Sequence, residues 1–309
     1  MEQKSPSQTK TIIIAGATGQ LGQRIAVHLL QSKHHVVALI RTGSNSKTAS
    51  FLEKQGVVLH EVDFNDSSQL TKACTGAHCI VSALNGLEDV IIGLQTNLLH
   101  AAIDAGVTRF IPSDYCIDYT KLPDGSNRNL DLRRKFNEQL DKTPIEATSI
   151  LNGMFTDLLT GEAPLILFGL KRVIYWGDAN QNLDFTTLEN TAEYTARAAV
   201  DEATPRYLRI AGDVVNAEGL KDAVTAATGN GFKLLRVGGL GGLQTMIKIT
   251  RTIIPKKEEV FPPWQGMQYL HNMLSGKPKF SALDNDRYQG IRWTTVQEVL
   301  ASFVRSKNS

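Results

Sequence analysis

No acidic side chain stands between Glu2 and Glu53 of this 309-residue chain, while Lys4, Lys10, Arg24, Lys33, Arg41 and Lys47 all fall in that stretch. Any site built on this segment therefore has no carboxylate to offer and an excess of cations. Cysteine is also scarce. Cys74, Cys79 and Cys116 are odd in number and form no CxxC pair, which argues against a disulfide framework or a structural zinc site. The seven histidines show no HExxH or other ligand spacing, so no metal is expected. No apolar run is long enough to span a bilayer, and the polar start MEQKSPSQTK lacks the apolar core of a signal peptide. A cytoplasmic protein with no membrane partner is expected. A net charge of +2, from 33 basic and 31 acidic residues, gives no footprint for a nucleic acid. Oligomeric state is not legible in any of these patterns.

What is present is the material of a globular core, with 42% hydrophobic residues. Residues 11–15 (TIIIA) are a short apolar run rich in β-branched side chains, which predicts a strand buried on both faces. Further strands are expected at 36–40, 56–62, 79–84, 109–112 and 147–151. Helical patterns fall between them, to about Ser32, over 67–73, 90–105 and 130–142. Strands alternating with helices predict right-handed βαβ units and a doubly wound parallel Rossmann sheet, an α/β fold.

After Asn152 the alternation breaks. The expected division is a dinucleotide-binding domain over 1–155, with a return segment near 184–212, and a smaller α+β substrate-binding domain over 156–309. A helix over 190–202, a strand at 207–210 and two helices after Gly239 and Pro263 are expected in that half. A last helix starts at Thr294, where Thr294 and Gln297 fit a T-x-x-Q capping box.

The motif Gly16-Ala17-Thr18-Gly19-Gln20-Leu21-Gly22 follows the first strand and opens the first helix. Glycine here permits the tight turn, close approach of the backbone to a pyrophosphate, and helix–strand packing. The helix start then meets the phosphates with free N–H groups and its positive dipole end. The spacing alone is a weak signal; the strand, turn, helix and following strand make it specific. The second strand ends at Arg41, where NAD-preferring sites place an acid for the ribose 2′-hydroxyl. Arg41 suits a 2′-phosphate instead, with Lys47 assisting, so NADP(H) is the expected cofactor. Asp63 and Phe64, after the third strand, fall near the adenine, with a plain turn role for Asp63 as the alternative. Ser82, Ala83, Leu84 and Asn85, at the end of the fourth, should line the middle of the cofactor.

GATGQLG, Arg41, AGVTRFIPSDY (105–115) and WTTVQEVLASF (293–303) resemble the NmrA-like and isoflavone reductase-like atypical short-chain dehydrogenases. The resemblance is strongest over 11–155 and vague between about 160 and 290. It implies a Rossmann core with a small C-terminal substrate domain, NADPH binding, and reduction of a small aromatic, quinone or conjugated substrate. A minority of the family are non-catalytic sensors of NADP(H), and that reading is the alternative here. The resemblance further implies that Pro112, Ser113, Asp114 and Tyr115 border the nicotinamide. The family more often has Pro-Ser-Glu-Phe there. It implies that Asn152-Gly153-Met154-Phe155 faces the nicotinamide, so Asn152 and Phe155 join the cofactor-binding set.

Ordinary short-chain dehydrogenases use Tyr-x-x-x-Lys, in which the lysine lowers the tyrosine pKa. None of the seven tyrosines has a lysine four residues on. Members of the resembling family use a lysine on the helix after the fifth strand. Here that helix carries Asp131-Leu132-Arg133-Arg134-Lys135-Phe136, and either Arg133 or Lys135 could fill the place, or neither. Two residues apart on a helix, they point about 200° apart. Lys135 could donate a proton; Arg133 stays protonated and could only stabilise a developing oxyanion. An arginine in that place would favour the sensor.

Overall fold

The computed structural model describes residues 9–43 and 47–308, so most of the polar N-terminal stretch lies outside it. The apolar run of residues 11–15 becomes strand β1 (Thr11–Ala15), buried along nearly its whole length. Five more strands complete a parallel sheet: β2 (His35–Arg41), β3 (Val58–Val62), β4 (Cys79–Ser82), β5 (Arg109–Ile111) and β6 (Glu146–Ala147). Their order is β3-β2-β1-β4-β5-β6. The order reverses between β1 and β4, and in such sheets ligands bind at that switch, beyond the carboxyl ends of the strands. Helices α1 (Gln20–Gln31), α2 (Lys47–Lys54), α3 (Ser67–Cys74), α4 (Gln95–Asp104) and α5 (Arg128–Leu140) connect them. Ile13, Leu39 and Ile80 of the sheet share one apolar cluster with Leu70 of α3, Leu98 of α4 and Phe136 of α5. Burying each such side chain is worth about 1.5–3 kcal/mol.

The helix expected over 90–105 begins as a π-helical turn, Asp89–Leu94, and becomes α-helical only at Gln95. The strand expected over 147–151 divides. Thr148 N–H still donates to the Phe110 carbonyl of β5, but Ser149 N–H donates to the Arg206 carbonyl. The chain thus leaves the large sheet, and β7 (Ser149–Leu151) forms its own two-stranded pair with a later strand, Tyr207–Arg209.

By contact density the chain forms two compact units. Unit 1 is made of the described residues within 1–113, 135–149 and 192–207; unit 2 of those within 114–134, 150–191 and 208–309. Unit 2 holds β8 (Met154–Phe155), β9 (Ile166–Leu167), β10 (Arg172–Trp176), β11 (Leu183–Thr186), then, after α6 (Leu188–Val200) and β12 (Tyr207–Arg209), β13 (Asp213–Val215) and β14 (Lys233–Gly238). These make two small sheets, β14-β10-β9 and β13-β11-β8. Its remaining helices are α7 (Ala217–Thr228), α8 (Leu240–Ile253), α9 (Pro263–Leu274) and α10 (Val296–Asn308). The capping box of α10 lies one residue beyond the expected Thr294/Gln297 pair. Thr295 N–H donates to Glu298, and Glu298 N–H donates to the Thr295 hydroxyl. A charged carboxylate is the stronger reciprocal acceptor. Among the described residues no helix is long and apolar enough to cross a membrane.

Candidate active site

In unit 1 the glycine motif is a backbone cradle. Gly16 has φ +83°, and a Cβ there would stand 2.5 Å from the Ala83 carbonyl oxygen, so only glycine fits. A Cβ on Gly22 would drive into the Gly16 carbonyl and lie 2.8 Å from Ala17 Cα. Gly19 N–H closes the turn onto the Gly16 carbonyl at 3.1 Å. The start of α1 has no side-chain cap and no acid in its first turn. Its leading N–H groups and dipole end are therefore available to an anion. Thr18 is half-buried within the turn, Leu21 is half-buried in the first turn of α1, and Gln20 is exposed.

Arg41 is exposed at the end of β2, and Lys47 is exposed at the start of α2. Ser82 ends β4 fully buried, and its hydroxyl has no hydrogen-bond partner among the described residues. Ala83 and Leu84 follow as the wall against Gly16, and Asn85 is exposed. Glycines that no larger residue can replace, an uncapped helix start, an orphaned hydroxyl and a cation at the β2 end together fit an NADP(H) molecule.

Two other predicted positions have visible structural work. Asp63 accepts from the Asn65 backbone N–H at 2.9 Å, a turn closed on its own side chain. Phe64 is buried in the main apolar cluster, and its carbonyl accepts from Asn97 at 3.0 Å.

The segment after β5 is held from within unit 1. Ser113 donates its hydroxyl to the Leu84 carbonyl at 2.5 Å and its N–H to Gln95 Oε1 at 2.9 Å. Gln95, 1% exposed, donates in turn to the Ile91 carbonyl of the π-helical turn. Gln95 thus ties the tail of β5 to that turn, while Pro112 beside it is buried. Sequence reading missed Gln95. Its one signal was position, since four residues after Ile91 and three before Leu98 it falls on the apolar face of the helical stretch.

In unit 2 the polar groups of the candidate site, Arg133, Asp114 and Asn152, are buried. Arg133, 8% exposed, donates Nε to the Asp114 carbonyl and Nη1 to the Asn129 carbonyl, both at 3.0 Å. Asp114, 1% exposed, accepts from the Tyr119 hydroxyl at 3.0 Å. Burial opposes the charge on Arg133, but Tyr269, Cys116, Asp114 and Tyr119 outweigh it and hold the guanidinium above its ordinary value. Burial also pushes the Tyr269 phenol up to about 12, against the pull of Arg133. Tyr269, on α9, was not singled out from sequence, because nothing local marks it. Lys135 lies on α5 in unit 1, exposed, with no side-chain hydrogen bond or ion pair among the described residues.

Asn152 is fully buried. Its backbone N–H donates to the Cys116 carbonyl at 3.0 Å and its carbonyl accepts from Thr186 at 2.7 Å. Both side-chain amide atoms of Asn152 have no hydrogen-bond partner among the described residues. A buried amide in that state is costly unless something else meets it. Phe155, half-buried in β8, sits in register with Thr186 of β11.

A profile of the NmrA-like family matches residues 8–238. The chain belongs to the NmrA-like family. Its relatives include bifunctional pinoresinol-lariciresinol reductase 1 of Linum usitatissimum, 27% identical over 71% of this chain and 75% of the relative. The fold of this NmrA-like chain is shared with an isoflavone reductase crystal structure, at TM-score 0.81 and 21% identity, covering 96% of this chain and 100% of the other. It is shared equally with AtPrR2 bound to NADP+ and (+)pinoresinol, at TM-score 0.80 and 20% identity over 96% and 99% of the two chains.

Proposed function

We propose that this chain is an NADPH-dependent oxidoreductase that reduces a small aromatic, quinone or otherwise conjugated acceptor. The pinoresinol in the names of its relatives favours the aromatic end of that range. The observation that carries the reading is the glycine cradle at the uncapped start of α1, followed at the end of β2 by Arg41 where an NAD site would have an acid.

When bound, NADPH supplies a hydride, and the protein supplies position and charge. Gly16, Gly19 and Gly22 admit the pyrophosphate to the backbone, and Arg41 with Lys47 pairs the 2′-phosphate. Ser82 and Ser113 lie along the strand ends that support the rest of the dinucleotide. In unit 2 the Asn152 amide offers a donor and an acceptor to a bound acceptor molecule. Arg133 is the buried cation. It stays protonated, so its part is to stabilise negative charge that develops on the acceptor oxygen. The proton comes from a hydroxyl in its field, for which Tyr269 is our assignment; with a value near 12 that phenol keeps its proton throughout the neutral range.

The test is NADPH oxidation, followed by absorbance, against a panel of quinones and conjugated phenolic acceptors. Turnover of at least one member, with NADPH preferred to NADH, is expected. Tight NADPH binding with no turnover of any acceptor, and a clear difference in affinity between NADPH and NADP+, would replace the reductase by a redox sensor.

A further inference from the structure

The cofactor cradle lies where the strands of the large sheet end. At the opposite edge, where β4, β5 and β6 begin, unit 1 has a cavity of about 590 Å³. That is within the roughly 300–1,000 Å³ typical of small-molecule sites. One wall is apolar, formed by Ile103, Val107, Pro144 and Ile145. The other is polar, with Arg109, His78, Glu146 and Glu202.

The two signs of charge on that polar wall are held very differently. The Arg109 side chain is 3% exposed, while its ion-pair partner Glu146, at 2.7 Å, is 66% exposed. Lys10 is not itself a lining residue; its side chain is 16% exposed, and its partner Glu202 on the wall, at 2.6 Å, is 75% exposed. The cations are also fixed by other bonds. Arg109 donates Nη1 to the Glu202 carbonyl at 3.2 Å and Nη2 to Thr148 Oγ1 at 3.1 Å. Lys10 donates to the Val200 carbonyl at 2.9 Å and contacts His78 Nε2 at 3.3 Å. The carboxylates, by contrast, reach in from solvent, where an ion pair is worth only about 0–1 kcal/mol.

Arg109 is also incompletely used. Glu146 takes one terminal nitrogen, and the buried Nε has no acceptor among the described residues. A buried guanidinium nitrogen without an acceptor is costly, and a carboxylate spanning two nitrogens of the fork is its best complement. His78 adds a neutral wall. Burial, and then the Lys10 ammonium, hold it below the ordinary histidine value. With the ammonium donating to Nε2, its ring hydrogen sits on Nδ1 as a further donor.

We propose that this cavity is a second ligand site, separate from the cofactor cradle, for a small carboxylic acid with an apolar or aromatic body. The ligand carboxylate displaces the loosely held Glu146 from Arg109 and engages Nε, and its body lies on Ile103, Pro144 and Ile145. The chemistry that selects it is a fixed cation with an exchangeable counter-charge beside an apolar wall. The site stands independently of the reductase reading.

The experiment is calorimetric titration of the full chain, saturated with NADPH, with cinnamate and with its uncharged analogue cinnamamide. Cinnamate should bind measurably tighter than the amide. Glu146→Gln removes the competing carboxylate and should tighten cinnamate roughly two- to fivefold, leaving cinnamamide unchanged. Ile103→Trp, which fills the apolar wall, should weaken cinnamate. Neither variant should alter NADPH oxidation with an accepted substrate. Arg109→Gln should abolish the preference for the acid, but that variant also unpicks the Thr148 and Glu146 contacts, so the decision rests on the other two. Equal affinity for acid and amide, or cinnamate binding unmoved by Glu146→Gln, would overturn the proposal.

Discussion

Unit 1 builds its phosphate cradle from backbone: Gly16 turned to φ +83°, Gly22 pressed onto the Gly16 carbonyl, and an uncapped helix start. Unit 2 builds its polar centre from buried side chains: Arg133 bonded to two carbonyls, Asp114 accepting from Tyr119, and an Asn152 amide with no partner among the described residues. The two kinds of site fail in different ways. A backbone cradle tolerates no added atom, because the Cβ meets a carbonyl that cannot rotate away. A side-chain centre tolerates a change of shape better than a loss of charge, because the groups that satisfy Arg133 stay behind when it goes.

The sharpest way to break the first half of that comparison is Gly16→Val. Its Cβ would meet the Ala83 carbonyl in a backbone region closed to β-branched residues. NADPH affinity should fall on the order of 100-fold or more, with far-ultraviolet circular dichroism confirming that the sheet remains. Arg41→Ala tests the exposed part of the same site and should cost less. Losing one charge-assisted contact of about 1.5–3 kcal/mol weakens NADPH roughly ten- to 100-fold and leaves NADH nearly unchanged. Equal losses for the two cofactors would remove the 2′-phosphate assignment. Isothermal titration with both cofactors measures each.

The smallest effect concerns the base of unit 1. His34, 8% exposed, accepts the Lys10 N–H on Nδ1 at 3.2 Å. Burial, then Lys10 and His35, hold its pKa below the ordinary value of 6.5. The fold therefore favours the neutral ring. Its stabilising contribution is complete above about pH 6.5 and is lost as pH falls through that value toward the lower folded pKa. The melting temperature should drop by a few degrees at most between pH 7.5 and 5.5, and less in His34→Gln, which keeps an acceptor and cannot titrate.

The same contrast explains what could be read in advance. The alternation of strands and helices follows from local signals, since TIIIA, the glycine turn and the apolar periodicities each act over a few residues. The cradle was legible because glycine spacing states a backbone requirement directly. The break at Thr148 was not, because a strand's period says which way side chains point but not which neighbour it pairs with. Gln95, Tyr269 and the Arg109 cavity were invisible for a related reason. Each gains its meaning from partners far away in sequence: Ser113 for Gln95, Arg133 for Tyr269, and His78, Glu146 and Glu202 for Arg109. Arg133 and Lys135 were indistinguishable in sequence. The structure separates them by burial, 8% exposed against a solvent-facing side chain.

That separation gives the most direct measurement of the central claim. Steady-state NADPH oxidation with an accepted substrate should be compared in the native chain, Arg133→Met and Lys135→Met, with NADPH affinity measured alongside. If Arg133 is the buried cation of the reaction, its loss lowers kcat by roughly 100- to 1,000-fold with little change in NADPH affinity, and Lys135→Met stays within about twofold of native. The reverse pattern, with turnover surviving Arg133→Met and collapsing in Lys135→Met, would contradict the account.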